Sequence, residues 1–145
     1  DCKAERMLNR GAAILGAIDA LERDSNTRVE LVAFWPAFGS YGKHAMACNI
    51  KAAGDDWNPA SVAFALANPA FGRRVGFKWL ESKAEWADVV QCGYGNGTVK
   101  SGKVPMACDV YVPYLTYDGE YATPAGAVEA VQEIFTPHLA RLDAA

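Results

Sequence analysis

Two histidines, His44 and His138, are the only side chains in this sequence whose ordinary pKa suits proton transfer near neutral pH. His44 is the stronger candidate. It adjoins the glycine- and tyrosine-containing run 38–43, and a partner carboxylate would come from Asp55, Asp56, Asp109, Asp118 or Glu120. Such a pair would make the chain a small hydrolase, but no spacing selects one of these acids. Ser40 and Lys43 show the S-x-x-K spacing of serine acyl-transfer enzymes without the S-D-N and K-T-G elements that accompany it. The same run fails as a phosphate loop, because Ala37 stands where glycine is needed and His44 where serine or threonine is needed. Asp55 and Asp56 precede Trp57-Asn58-Pro59, a pattern that makes a turn and a helix start more readily than a paired-acid site. The calcium pattern D-x-[DN]-x-[DN]-G is absent. No catalytic residue, metal or cofactor is assigned on these grounds.

The four cysteines, Cys2, Cys48, Cys92 and Cys108, carry the next chemistry to weigh. No C-x-x-C pair occurs and the histidines lack paired spacing, so zinc ligation is not expected. An even cysteine count and a start at Asp1-Cys2 fit a mature exported chain held by disulfides, periplasmic or extracellular. A lipid-modified Cys2 fits less well, since it would follow Asp1 and leave one cysteine unpaired. Four cysteines permit alternative connectivities. A hairpin about the turn 93–102 would make Cys92 and Cys108 cross-strand neighbours and leave Cys2 to join Cys48; the alternative pairs Cys48 with Cys108 and Cys2 with Cys92.

A third set of residues suggests recognition. Aromatic residues and glycines gather at 38–42, 93–97 and 114–121, and Tyr41, Tyr94, Tyr114, Tyr117 and Tyr121 are the candidate binding residues. Tyrosine offers large contact area at small rotamer cost, and glycine lets a partner approach the backbone. Tight turns and strands also call for these residue types. Asn96-Gly97-Thr98 is a glycosylation sequon, with meaning only in a eukaryotic secretory pathway.

The elements that must position these groups follow from periodicity. Met7, Leu8, Ile14, Leu15, Ile18 and Leu21 recur at helical spacing over 2–23, opposite most of the charged residues, although Gly11 and Gly16 each cost about 1 kcal/mol relative to alanine. That cost implies packing or close approach at the glycines. A turn at 24–26 leads to alternating residues at 29–35 and 44–51, which can pair as a hairpin about the loop 36–43. Asn58 as N-cap with Pro59 at the first helical position opens a helix that ends near Asn68-Pro69. Alternation at Val75, Phe77 and Trp79, again at Trp86, Val90, Cys92 and Tyr94, and most clearly over 104–114 predicts further strands, with a helix over 82–91 as the alternative in the middle stretch. Pro105 and Pro113 place the last strand at an edge or bulge. Thr123-Pro124 starts a terminal helix that Pro137 kinks or breaks. The sum is an α+β fold: an antiparallel sheet of about four to five strands, disulfide-stapled, with N- and C-terminal helices packed on one face.

The chain has 145 residues, 51% of them hydrophobic, which suffices for one core and one domain. Fourteen basic residues are scattered and the net charge is −3, so no nucleic-acid footprint is present. No apolar run reaches the roughly eighteen residues a membrane span requires. These features lead to an exported non-enzymatic binding protein of the inhibitor or immunity type, recognising another protein through its Tyr/Gly loops. The alternatives are the His44 hydrolase and a carrier for an apolar ligand between helix and sheet. Oligomeric state is left open.

Overall fold

The computed structural model describes residues 3–39, 42–68, 70–82, 107–112 and 119–142. Helix α1 spans Ala4–Asp24 and buries Gly11, Ala13, Ile14 and Ile18. It ends at Ser25, whose hydroxyl and backbone N–H both donate to the Leu21 carbonyl, at 2.6 and 3.1 Å. Strands β1 (Leu31–Gly39) and β2 (Gly42–Lys51) then pair antiparallel, with Trp35 opposite Met46 and Gly39 opposite Gly42. The expected hairpin is therefore present, with each strand running well into the stretch expected to be loop. Pro36 is accommodated because each strand of a two-stranded ribbon has an outer edge that needs no donor.

Helix α2 (Pro59–Ala67) begins as its sequence dictates: the Asn58 side chain accepts from the Ser61 N–H at 3.1 Å, and Pro59 occupies the first turn. Asn68 closes α2 and starts the next element, accepting the Ala70 N–H on its side chain at 2.9 Å. A wide π-type turn over Phe71–Gly76 runs directly into a short helix, α3 (Phe77–Glu81). Residues 107–112 carry no strand. A 3-10 turn at Gly119–Tyr121 precedes α4 (Pro124–Leu142), in which the Thr123 hydroxyl accepts from the Gly126 N–H at 3.1 Å and Pro137 lies inside the helix.

The core joins α1 to α4. Ala13, Ile14 and Ile18 meet Tyr121, Ala127, Val131 and Phe135, with Val110, Val112, Leu31 and Trp57 packed around them. Ile14, Ile18, Val62 and Val131 are fully buried, and each contributes on the order of 1.5–3 kcal/mol of apolar burial. Helix α2 lies against α1 where Gly11 admits it: a Cβ on Gly11 would stand 2.7 Å from the Ala67 Cβ. The close approach expected at Gly11 is thus found. At Gly16 a Cβ would meet nothing within 4 Å.

The expectation of a four- to five-stranded, disulfide-stapled sheet is overturned, because the described residues form one two-stranded sheet and four helices. Val75, Phe77 and Trp79 are helical. Three apolar residues alternating over five positions are too few to separate a period of two from a helical turn, and two observations favour the helix: the Asn68 start, and Phe71 packed edge-on to Phe64 at 5.9 Å. Over 107–112 the backbone takes no part in a ladder. Val110 and Val112 pack on the helical core, and the Val112 carbonyl accepts from the Arg10 side chain. Cys48 and Cys108 are free thiols, half-buried and exposed respectively, so none of the three pairings Cys2–Cys48, Cys92–Cys108 and Cys48–Cys108 is made. Cys2 and Cys92 themselves lie outside the described residues, as do the strands expected over 83–106.

Candidate functional site

Helix α1 organises the polar chemistry of the molecule at its two ends. Near its C-terminus Glu22 is the centre of a buried node. The Lys51 ammonium donates to Glu22 Oε1 at 2.9 Å, the Trp57 indole N–H donates to Oε2 at 2.7 Å, and the Val29 N–H donates to Oε1 at 2.8 Å. Lys51 also donates to the Val29 carbonyl at 3.2 Å, and its charge lies 5.7 Å from the Trp57 ring centroid. The Lys51 side chain is 2% exposed, the only buried charged residue among the described residues. Burial alone would raise the Glu22 carboxyl pKa. The Val29, Lys51 and Trp57 hydrogen bonds and the Lys51 charge outweigh that penalty and hold it below its ordinary value. Four segments, α1, β1's approach, β2's end and α2's approach, therefore meet on one carboxylate.

Near the other end, Asn9 and Arg10 grip two segments distant in sequence. Asn9 donates to the Tyr121 carbonyl and Arg10 to the Val112 carbonyl, each at 3.1 Å. Arg10 also hydrogen-bonds the Tyr121 side chain. Burial pushes the Tyr111 and Tyr121 hydroxyls above their ordinary pKa, and the Arg10 charge opposes that rise in both. Neighbouring residues of one helix thus hold the chain just before position 113 and again at position 121.

Between these ends, Leu15, Gly16 and Asp19 of α1 face Trp57 and Pro59 across an open groove of about 280 Å³. Its walls are apolar. Asp19 at the rim pairs with Arg23 at 3.2 Å. Asp19, the one ionisable residue in the lining, is engaged with Arg23, so the groove suits the docking of an apolar side chain better than chemistry.

The residues singled out from the sequence fare differently. Tyr121 is 3% exposed and belongs to the core, because its ring fills the space between α1 and α4; it is removed from the recognition surface. Tyr41, Tyr94, Tyr114 and Tyr117 lie outside the described residues, as do Asp118 and the Asn96 sequon. His44 pairs through its backbone position with Ala37 in the hairpin. His138 hydrogen-bonds Arg141 within α4. Asp55 is occupied in a turn, accepting from the Ala52 N–H at 3.2 Å, while Asp56, Asp109 and Glu120 are exposed. No group of three or more His, Cys, Asp or Glu residues among the described residues is placed to hold a metal ion, and no helix there is long and apolar enough to cross a membrane.

Asn9, Arg10, Glu22, Lys51 and Trp57 were not marked by the sequence. Lys51 sits by alternation on the polar face of β2. It turns inward because the ladder carries a bulge: Leu31 pairs with Lys51 while Val32 pairs with Asn49, so Ile50 is an extra residue and the faces exchange beyond it.

The chain belongs to the family described as Domain of unknown function (DUF7192), which matches residues 1–139. No curated protein and no solved structure matches the chain.

Proposed function

We propose that this DUF7192 domain is a non-enzymatic binding module of the inhibitor or immunity type, presenting Tyr114 and Tyr117 to another protein, with Tyr41 and Tyr94 as further contacts. The observation that carries this reading is the double grip of α1. Arg10 holds the Val112 carbonyl and Asn9 the Tyr121 carbonyl, so described residues on either side of 113–118 are fixed to one helix. A recognition loop is most effective when its ends are fixed on a rigid element, since less freedom is then lost on binding. Helix α1 is such an element, buried along one face against α2 and α4. The ionisable groups clustered along it, Glu22, Lys51 and Arg10, are engaged in holding segments together.

Affinity capture from a native extract tests the proposal, with Tyr114→Ala, Tyr117→Ala and Asn9→Ala/Arg10→Met proteins as comparisons. The tyrosine variants should lose the captured protein while keeping the parental melting temperature. The clamp variant should bind more weakly through a slower, more variable association. Capture of the same protein at undiminished strength by all three would refute the reading.

A further inference from the structure

The outward face of α1 is unusually poor in charge through its middle. Glu5, Leu8, Ala12, Gly16, Asp19 and Arg23 are exposed on successive turns of one side, so on that side the positions from Leu8 to Gly16 offer only apolar and small side chains to solvent. Leu8 is 57% exposed, the most exposed of the large hydrophobic residues described. Gly16 weakens the helix relative to alanine, yet it has no neighbour within 4 Å to account for it, in contrast to Gly11 against Ala67. Beside Gly16 opens the groove lined by Leu15, Asp19, Trp57 and Pro59.

One occupant satisfies these features together. Let a second α1 cross this face antiparallel, with a two-fold axis level with Ile14. Ala12 then lies against the partner's Gly16, allowing close approach of the two backbones. The same register sets Glu5 opposite the partner's Arg23, an exposed guanidinium now shared between Asp19 and Asp24. It also carries Leu8 over the level of residues 16–20 of the other copy, where the groove opens. We propose that this face of α1 pairs two copies of the chain, antiparallel and two-fold symmetric, each placing Leu8 in the other's groove of Leu15, Gly16, Asp19, Trp57 and Pro59. The contact is isologous, so each favourable pair occurs twice. It stands independently of the recognition role given to the tyrosines.

Sedimentation equilibrium of the whole chain, from micromolar to submillimolar concentration, tests the pairing. The parent should form a closed dimer and stop there. Leu8→Asp, at a site exposed in the monomer, should weaken association by roughly a hundredfold because both copies lose an anchor. Glu5→Arg and Arg23→Glu should each weaken it by roughly tenfold, since two attractive pairs become repulsive, and the doubly swapped protein should recover to within a few-fold of the parent. A chain monomeric throughout overturns the proposal. So does a dimer indifferent to Leu8→Asp, or a charge swap without recovery in variants that keep the parental circular dichroism.

Discussion

The two ends of α1 solve the same problem with different chemistry. At the C-terminal end a full positive charge is buried and answered by a carboxylate, Lys51 on Glu22, with Trp57 and Val29 donating to the same two oxygens. At the N-terminal end a half-buried guanidinium and an amide are answered by main-chain carbonyls of Val112 and Tyr121. The first arrangement is all-or-none, because loss of one partner strands a charge that cannot reach water. The second is graded: each hydrogen bond can fail without orphaning a buried ion. The hairpin is thus fixed to the helix by a brittle tie, and the segments on either side of 113–118 by a forgiving one.

The largest effect expected from breaking this contrast is at Glu22. Glu22→Ala should cost roughly 3 kcal/mol in urea unfolding, since Lys51 keeps its charge and loses its partner. Replacing both, as Glu22→Leu with Lys51→Met, should recover at least half of that loss; a double variant as unstable as the single one would show that the ion pair is not the source. Arg10→Met retains most of the side-chain volume and removes the donors, and should cost about 1.5 kcal/mol in the same assay. Asn9→Ala should cost about 1 kcal/mol. Hydrogen exchange should localise both losses to residues 107–112 and 119–121, leaving the β1–β2 amides protected; loss of hairpin protection would contradict the separation of the two ties.

The smallest effects are those of pH, and they have opposite signs. The Glu22 carboxyl is depressed in the folded chain, so its contribution is complete above the unfolded value near 4.5 and is lost as pH falls through the lower folded value. Tyr111 and Tyr121 are raised above 10.0, so their contribution is complete below that pH and is lost as pH climbs through the raised values. Acid should therefore loosen the hairpin first and alkali the 107–121 region first, read by tryptophan fluorescence and tyrosine absorbance respectively. Simultaneous loss of both regions at either extreme would show that the ties are coupled.

Much of the helical part of this fold was legible. The periodicity of α1, the Asn58-Pro59 start of α2 and the Thr123-Pro124 start of α4 each rest on local stereochemistry that tertiary contacts do not override. What misled was alternation in short apolar runs. At 75–79 the alternating residues are helical, following the turn that begins at Asn68, and at 107–112 Val110 and Val112 pack on the α1–α4 core beside Arg10, which is remote in sequence. The cysteine argument failed for a related reason. Cys48 and Cys108 lie on elements that the helical core keeps in separate roles, and what fastens the helix to β2 is Glu22 with Lys51. At the candidate site, Tyr121 was marked for its residue type and proved to be core, whereas Asn9 and Arg10 carried no spacing signal because their partners are backbone atoms more than a hundred positions away.

The bulge at Ile50 gives β2 something like a reading frame. With residue 50 retained, a regular ladder would pair it with Leu31 and leave Lys51 on the solvent face with Asn49; the bulge is what delivers Lys51 to the brittle tie. Without residue 50, Lys51 would follow Asn49 directly, pair with Leu31 in a regular ladder and keep its inward face. A deletion scan along β2 should therefore lose the least folded protein at residue 50.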